Sequence, residues 1–326
     1  MKTNFKKIVL VAVFLVALVS VVAVALFVAD FAENSGDNIP DDESNSANTM
    51  NAIYIDGEKY YPRVSVLNYL IIGVDKFEDQ EKRGQSDFIM ILSVDRDAGT
   101  YKLISINRDT MVEVDHYDTN GKKGDTKVEQ IALSHAYGKK DEISNKQKCE
   151  NTELSVSRIF MGMKFDGYIS MTMDAVCEMV DEIGGVEVLI KDDMKIVDER
   201  LVQGETVLLD GDLALKFVRA RTGVGEGKNP ERMERQKDFL KAFFAKLEGQ
   251  SLNTSIIELY DEISSMLVSD SEDTYLEIFE KLSSYDNAGF VSPEGEYTMG
   301  QTYWEFNVSK DSIEEILKSI FYEKAD

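Results

Sequence analysis

Hydrophobic and polar positions divide the chain into a long apolar run, a polar segment and a domain with mixed patterning. Residues 8–29 contain no charged side chain; lysines precede them and acidic residues follow. About 20 apolar residues suffice to cross a bilayer, so we expect an uncleaved transmembrane anchor at 8–29 and a cytoplasmic N-terminus at 1–7. The alternative is a cleaved signal peptide with a small-residue site at Ala23-Val24-Ala25, although secretory apolar regions usually have about 7–15 residues.

The segment after the anchor is polar and acidic. Residues 34–52 contain few large apolar side chains, a composition typical of a flexible linker. We therefore expect an extracellular stalk over residues 30–63 and a main domain over residues 64–250. Residues 251–326 carry no catalytic motif, and we expect them to form a helical C-terminal extension, with a strand pair around Trp304, that packs on the same domain.

Three continuous apolar runs of strand length begin the main domain. They cover residues 69–74, 88–94 and 101–106, and residues 95–99 between the last two are typical of a hairpin turn. Strands that are apolar on both faces predict a sheet with helices on each side. The sequence therefore predicts an α/β domain with a mixed sheet.

Helical periodicity marks most of the remaining chain. One helix is expected along the face formed by Val128, Ile131, Ala132, His135 and Ala136. Gly184-Gly185 ends another helix and precedes a strand at residues 186–190. The remaining helices are expected at residues 154–161, 173–183, 213–221, 231–247, 256–267, 275–284 and 312–322.

Composition excludes some classes of function. The formal net charge of −24 disfavours binding to nucleic acid or, through bulk charge, to an anionic membrane surface. Cys149 and Cys177 are the only cysteines, and a disulfide between them and two free thiols both remain open. The chain has no zinc-binding spacing, and His116 and His135 stand alone, so we expect both to be structural.

Acidic residues stand at the ends of two adjacent predicted strands. Asp75 follows the first strand, and Ser86-Asp87 precedes the second. Ligands of α/β sheets gather at strand ends, and Mg²⁺ takes one or two protein carboxylates while it bridges to phosphates. The two aspartates are therefore candidate magnesium ligands. The alternative is that they are ordinary turn residues.

The third strand ends in a charged pair. It leads into Asn107-Arg108-Asp109, where Arg108 could bind an anion through two hydrogen bonds and Asp109 could orient it. A surface ion pair between the two side chains is the alternative.

Arginine is concentrated in one short segment. The chain has ten arginines, of which four fall within residues 219–235. They are Arg219, Arg221, Arg232 and Arg235. A glycine-rich loop at 223–227 separates the two pairs and leads into a helix N-terminus, which favours anions. Arg232 can share a helical face with Arg235 or with Gln236. The segment predicts a phosphate or pyrophosphate site, and a solvated helix on which Glu231 and Glu234 pair with the arginines is the alternative.

The ordered set of these motifs resembles the LytR-CpsA-Psr family over about residues 66 to 250. The set comprises Asp75, Ser86-Asp87, Asn107-Arg108-Asp109, Gly184-Gly185-Val186-Glu187-Val188, Leu209-Asp210-Gly211 and residues 219–236. The resemblance implies a three-layer α/β/α sandwich around a mixed central sheet, an N-terminal transmembrane helix and an apolar cleft for a lipid chain.

The resemblance also implies a magnesium-dependent phosphotransferase outside a Gram-positive cell. Such enzymes attach a glycopolymer from a polyprenyl-pyrophosphate carrier, for example teichoic acid or capsular polysaccharide, to peptidoglycan. Asp75 and Asp87 would hold Mg²⁺, and Arg108 and Asp109 would be catalytic. The residues that would bind the pyrophosphate are Arg108, Arg219, Arg221, Arg232, Arg235, Gln236 and Gln85.

Three positions depart from the family pattern. Gln85 stands in place of an arginine, Gln130 in place of a lysine or similar group, and Asn229 in place of an aspartate. Arg83, Lys127 and Glu226 lie nearby in the sequence. Two other functions therefore stay open: a polyprenyl-pyrophosphate hydrolase, and a non-catalytic lipid-carrier-binding regulator of envelope assembly.

Overall fold

The computed structural model describes residues 52–74, 84–118, 120–137, 142–220, 223–224, 229–248, 263–270, 284–300 and 303–325. All of these residues belong to one unit, Asn51–Asp326. The predicted anchor at 8–29 and two candidate site residues, Asp75 and Arg221, lie outside the described residues. Within the described ranges, no helix is long and apolar enough to span a membrane.

Strands dominate the first third of the described chain, and helices alternate with strands after it. The strands are β1 (Ile53–Ile55), β2 (Glu58–Pro62), β3 (Val66–Val74), β4 (Ser86–Asp95), β5 (Thr100–Ile106), β6 (Met111–Tyr117), β7 (Lys123–Gln130), β8 (Gly167–Thr172), β9 (Val186–Leu189), β10 (Thr206–Leu209), β11 (Leu267–Ser269), β12 (Asp286–Val291), β13 (Gly295–Met299), β14 (Trp304–Val308) and β15 (Tyr322–Lys324). The α-helices are α1 (Glu142–Ile159), α2 (Met173–Glu182), α3 (Gly211–Arg219), α4 (Asn229–Glu248) and α5 (Lys310–Ile316). Short 3₁₀ helices cover Ile131–Ala136 and Ser264–Met266, and a π-helical turn covers Leu317–Phe321.

Six of the described strands form a mixed central sheet in the order β11-β8-β3-β4-β5-β12. β4 runs antiparallel to both β3 and β5, whereas β8 runs parallel to β3 and β12 runs parallel to β5. The three apolar runs are the central strands β3, β4 and β5, with the predicted turn between the last two. The predicted α/β class with a mixed central sheet is confirmed.

The two faces of the sheet carry separate cores, because successive residues of a strand point in opposite directions. On one face, Tyr69, Met90 and Leu92 pack with apolar residues of α2, α3 and α4. On the other face, Leu70 and Ile91 pack with residues of α1, β6 and α5. Helices therefore cover both faces.

The predicted stalk is wrong for its last residues. β1 pairs with β2, and β2 pairs with the C-terminal strand β15. Ile53, Ile55 and Tyr60 are buried in the core under the sheet. These strands are too short to give a clear sequence pattern, and β15 fixes them from the other end of the chain.

The helix expected through Val128 is wrong in its first turn. Residues up to Gln130 belong to β7, which pairs with β6 and places Val128 opposite Glu113. The Val128 side chain is 61% exposed, so its apolar character does not mark a buried face. Only Ile131–Ala136 is helical, and it is a 3₁₀ helix.

The predicted helical extension is also corrected. β11 and β12 form the two edges of the central sheet, so the C-terminal region completes the sheet. The strand pair around Trp304 is confirmed as the antiparallel hairpin β13–β14. Of the predicted helices, residues 256–262 and 275–283 lie outside the described residues, and Leu267 belongs to β11.

The two cysteines and the two histidines occupy structural positions in the fold. Both Cys149 and Cys177 are free thiols, and burial raises the pKa of Cys149 to about 12. His135 is buried, with Nδ1 at 3.2 Å from the Gly84 carbonyl oxygen. His116 stacks on Tyr137. These contacts agree with the structural role expected for both histidines.

Asp115 is a buried carboxylate that links β6, β7 and α1. Its side chain accepts hydrogen bonds from Thr126 at 2.6 Å and Arg158 at 3.0 Å, and it forms an ion pair with Lys123 at 2.5 Å. Burial alone would raise the pKa of Asp115, but these three donors outweigh burial and lower the pKa to about 2. These contacts fasten the part of the β6–β7 hairpin nearer its turn to α1.

We expect Asp115→Asn to lower the free energy of unfolding by about 2–3 kcal/mol at pH 7. A carboxylate whose folded-state pKa lies below its unfolded value of about 3.9 stabilises the fold above that value. This contribution is lost as the pH falls toward the folded-state pKa of about 2. The difference between wild type and Asp115→Asn in urea unfolding should therefore shrink below about pH 4. Glu113→Gln, an exposed change on β6, is the control, and a difference that does not depend on pH would contradict this assignment.

Candidate functional site

A cavity of about 300 Å³ lies between the central sheet and helices α2 and α4. Its walls are mostly apolar and include Ile71, Met90, Met173, Val176, Phe239 and Phe243. Its polar lining consists of Asp87, Arg108, Arg219, Arg232 and Gln236. The cavity is therefore suited to a ligand that combines an apolar part with an anionic part.

Sheet pairing brings Asp87 and Arg108 together. Asp87 is the second residue of β4, and Arg108 follows the end of β5. The antiparallel register places Ile89 opposite Ile106, so the start of β4 and the end of β5 meet at the same edge of the sheet. The strand-end residues selected from the sequence thus lie beside each other.

Arg108 is held by three polar neighbours. Its Nη1 donates to Asp87 in an ion pair, and its Nη2 donates to Gln85 Oε1 at 2.6 Å. Its Nε lies 3.6 Å from Asp109 Oδ1. Gln85 is not among the residues that line the cavity. The position of Gln85 therefore favours a role in orienting Arg108. It does not favour the direct contact with pyrophosphate that the sequence led us to expect.

The two arginines of α4 face different surroundings. Arg232 lines the cavity, and its Nη1 lies 3.9 Å from Asp87 Oδ1. Arg235 Nη1 donates instead to Asp192 at 2.9 Å, and its Nη2 donates to the Ala220 carbonyl oxygen. Arg235 therefore ties α4 to neighbouring loops. This placement does not support the predicted contact between Arg235 and a pyrophosphate.

Arg219 and Gln236 complete the polar lining. Arg219 is the last residue of α3, whose N-terminus is capped by the side chain of Asp210. The start of α3 packs closely on α2, because a Cβ at Gly211 would lie 2.5 Å from the Cys177 carbonyl oxygen. Gln236 follows Arg232 by four residues and shares its face, which settles the choice left open by the sequence.

Asp109 lies next to the cavity but is not part of its lining. Gln130 Nε2 donates to Asp109 Oδ1 at 3.2 Å and to the Trp304 carbonyl oxygen at 2.9 Å. The main-chain N–H of Asp109 donates to Asn107 Oδ1 at 3.0 Å. Gln130 is therefore an uncharged link between Asp109 and the C-terminal hairpin. The sequence did not reveal this link, because Trp304 lies 174 residues away along the chain.

The oxygen donors of the lining fit magnesium. Mg²⁺ takes one or two carboxylates and completes its octahedron with water and phosphate oxygens, so Asp87 together with a bound phosphate is a suitable set. Within the described ranges, no group of three or more His, Cys, Asp or Glu side chains is placed to hold a metal without such a phosphate. The second predicted ligand, Asp75, directly follows Val74, whose backbone pairs with Ser86. Asp75 and Arg221 themselves lie outside the described residues.

Arg232 and Arg235 form a matched pair for mutation, because they are exposed to only 3% and 4%. We expect Arg232→Met to weaken the binding of geranylgeranyl diphosphate by about 10- to 100-fold, since it removes a charge-assisted contact. We expect Arg235→Met to leave this affinity within about twofold but to lower the free energy of unfolding by about 3 kcal/mol. Calorimetric titration and urea unfolding of the full-length chain measure both quantities. Equal losses of affinity in the two variants would contradict the assignment.

Two proteins that are named as transferases are similar to this chain in sequence. TagV from Bacillus subtilis, a polyisoprenyl-teichoic acid–peptidoglycan teichoic acid transferase, is 26% identical over 202 residues, which cover 60% of this chain and 47% of TagV. TagU from Halalkalibacterium halodurans, a transferase of the same name, is 28% identical over 201 residues, which cover 62% of this chain and 60% of TagU. The chain thus spans about half the length of these relatives.

Solved structures share the fold. The crystal structure of B. subtilis TagV matches with a TM-score of 0.58 and 22% identity, covering 78% of this chain and 95% of that one. TagT bound to LIIa-WTA matches with a TM-score of 0.58 and 21% identity, covering 78% and 88%. The model of the LytR_cpsA_psr family matches residues 31–321. The chain therefore belongs to the LytR_cpsA_psr family.

Proposed function

We propose that this chain is a phosphotransferase that attaches a glycopolymer, such as a teichoic acid or capsular polysaccharide, from a polyprenyl-pyrophosphate carrier to peptidoglycan. One observation carries the proposal: Arg108, Arg219 and Arg232 meet at a cavity whose remaining walls are mostly apolar. An isoprenoid diphosphate needs both surfaces, cationic donors for the diphosphate and an apolar space for the chain. The names of the relatives TagV and TagU, teichoic acid transferases that act on peptidoglycan, support the same activity.

The arginines would bind the diphosphate by charge-assisted hydrogen bonds. Guanidinium groups match phosphate oxygens with paired N–H donors. The charges of Arg108 and Arg232 are effective beside an apolar cavity because these side chains are largely buried and water screens them poorly there. Asp87 and Gln85 hold Arg108 in place, so little side-chain entropy is lost on binding. Gln236 adds an uncharged donor to the same lining.

The proposed reaction is an exchange at phosphorus. A hydroxyl of the peptidoglycan sugar attacks the phosphate that carries the glycopolymer, and a new P–O bond forms. The P–O bond to the second phosphate breaks, and the carrier leaves as polyprenyl phosphate. The arginines stabilise the charge that moves to this leaving group. Asp109, held by Gln130 and beside Arg108, accepts the proton of the attacking hydroxyl.

Magnesium is part of this proposal. Asp87, together with Asp75, would hold the ion, and Mg²⁺ would neutralise charge on the phosphates. Asp87 also contacts Arg108 and Arg232, so the same carboxylate would keep the arginines and the ion close to one diphosphate.

The proposed location is the outer face of a cell membrane. The apolar run at 8–29 supports a single-pass anchor, with the N-terminus in the cytoplasm and the main domain outside. A lipid carrier resides in the membrane, so an enzyme anchored in the same membrane lies within reach of its substrate.

The experiment is a transfer assay with the full-length chain in vesicles. The vesicles contain Mg²⁺ and a labelled glycopolymer on polyprenyl pyrophosphate, and peptidoglycan is added or omitted. We expect labelled polymer on peptidoglycan, with polyprenyl phosphate released only when the acceptor is present. Equal release with and without peptidoglycan would instead show a hydrolase. Carrier binding without release under any condition would show a non-catalytic regulator.

Asp109→Asn is the decisive variant in this assay. We expect kcat to fall by about 100-fold or more, because general-base catalysis contributes about 10²–10⁴-fold, while the affinity for the donor is retained. Asp97→Asn, in the exposed turn between β4 and β5, is the control and should keep full activity. Unchanged turnover in Asp109→Asn would exclude Asp109 as the base.

A further inference from the structure

The C-terminal hairpin β13–β14 is fastened to the segment that carries Arg108 and Asp109. The Phe306 N–H donates to the Asp109 carbonyl oxygen at 2.9 Å. Gln130 donates to both the Trp304 carbonyl oxygen and the Asp109 side chain. The hairpin therefore lies directly beside the proposed base, although the mechanism above assigns it no role.

One face of this hairpin presents a row of large side chains. The register pairs Tyr297 with Phe306 and Met299 with Trp304, and these four residues point to the same side because they occupy alternate positions. We call them the aromatic stripe. Phe306 is 8% exposed, whereas Trp304 is 50% and Met299 60% exposed. The stripe thus runs from a buried end to solvent.

The buried end of the stripe opens into a second cavity of about 200 Å³. Tyr297 and Phe306 line this cavity together with polar side chains, namely Ser105, Asn107, Ser292, Glu234 and Lys237. Asn107 Nδ2 donates to Tyr297 Oη at 2.6 Å, which holds the ring in place. The second cavity shares Phe88, Met90, Gln236 and Leu240 with the first, so the two cavities adjoin each other.

The charge of this region disfavours a polyanion. Residues 284–308 contain Asp286, Glu294, Glu296 and Glu305 and no lysine or arginine. A phosphate-rich polymer would be repelled along this segment, whereas a neutral chain with many hydroxyl and amide groups would not. Aromatic rings that combine an apolar face with nearby polar groups suit the apolar faces and hydroxyl edges of sugar rings.

We propose that the aromatic stripe and the second cavity bind the neutral saccharide chain of the acceptor. This inference rests on the proposed transfer reaction, because it assigns the acceptor to a place in that reaction. Sugar rings stack on Trp304 and Tyr297, and the polar residues of the second cavity bind their hydroxyl and amide groups. The main chain of Trp304 lies close to Asp109, because Gln130 Nε2 donates both to the Trp304 carbonyl oxygen and to Asp109 Oδ1. The stripe therefore belongs to the hairpin that is hydrogen-bonded to Asp109, and we expect it to hold the acceptor chain near the base.

Trp304 is the only tryptophan of the chain, so its fluorescence reports directly on the stripe. The probe is chitotetraose, a neutral tetramer of N-acetylglucosamine, titrated into the full-length chain. We expect a saturable change in the tryptophan emission of the wild type. Calorimetric titration should show affinity about tenfold weaker in Trp304→Ala and unchanged in Tyr54→Ala, which removes an aromatic side chain that is 63% exposed outside the stripe.

Titration of geranylgeranyl diphosphate into the same preparations separates this inference from the proposed function. We expect Trp304→Ala to bind the diphosphate as the wild type does. Saccharide binding without diphosphate binding would support the stripe and contradict the proposed function. Two results would overturn the stripe alone. In the first, the diphosphate binds but chitotetraose does not change the tryptophan emission; in the second, chitotetraose binds Trp304→Ala as tightly as wild type. Tighter binding of poly(glycerol phosphate) than of chitotetraose would assign the stripe to the donor polymer and overturn the inference as well.

Discussion

The candidate site depends on a carboxylate, Asp87, that is shared between guanidinium groups from distant parts of the chain. Arg108 follows β5 and Arg232 comes from α4, more than one hundred residues later, yet both lie beside Asp87. Buried positive charges at the edge of an apolar cavity are costly unless a carboxylate or an anionic ligand compensates them. Asp87 supplies part of this compensation for Arg108 and Arg232, and an anionic ligand in the cavity would add to it.

The sheet supplies the precision that such a site requires. Asp87 and Arg108 are fixed by the antiparallel register of β4 and β5, in which Ile89 lies opposite Ile106. Helix α4 forms the opposite wall of the first cavity, and Arg232 and Gln236 lie on its cavity face. Arg235 anchors the same helix to Asp192. The C-terminal region then adds β12 to the edge next to β5. The same region carries the aromatic stripe.

Sequence alone predicted the features that local patterns determine. Continuous apolar runs revealed β3, β4 and β5. Strand ends and clustered arginines pointed to Asp87, Arg108, Arg219 and Arg232, which the structure brings together in the lining of the first cavity. Features that depend on distant partners were missed. β2 pairs with β15 from the other terminus, and Gln130 meets Trp304 only through tertiary packing. Helical spacing alone allows Arg235 or Gln236 beside Arg232, and Asp192, which Arg235 contacts outside the cavity lining, lies in a separate loop.

The most direct test of this account is a crystal structure of the full-length chain with geranylgeranyl diphosphate bound. The account predicts the diphosphate within hydrogen-bonding distance of Arg108, Arg219 and Arg232, and the isoprenoid chain between Val176 and Phe243 in the first cavity. A diphosphate bound at another surface, or arginines that turn away from a lipid in this cavity, would contradict it.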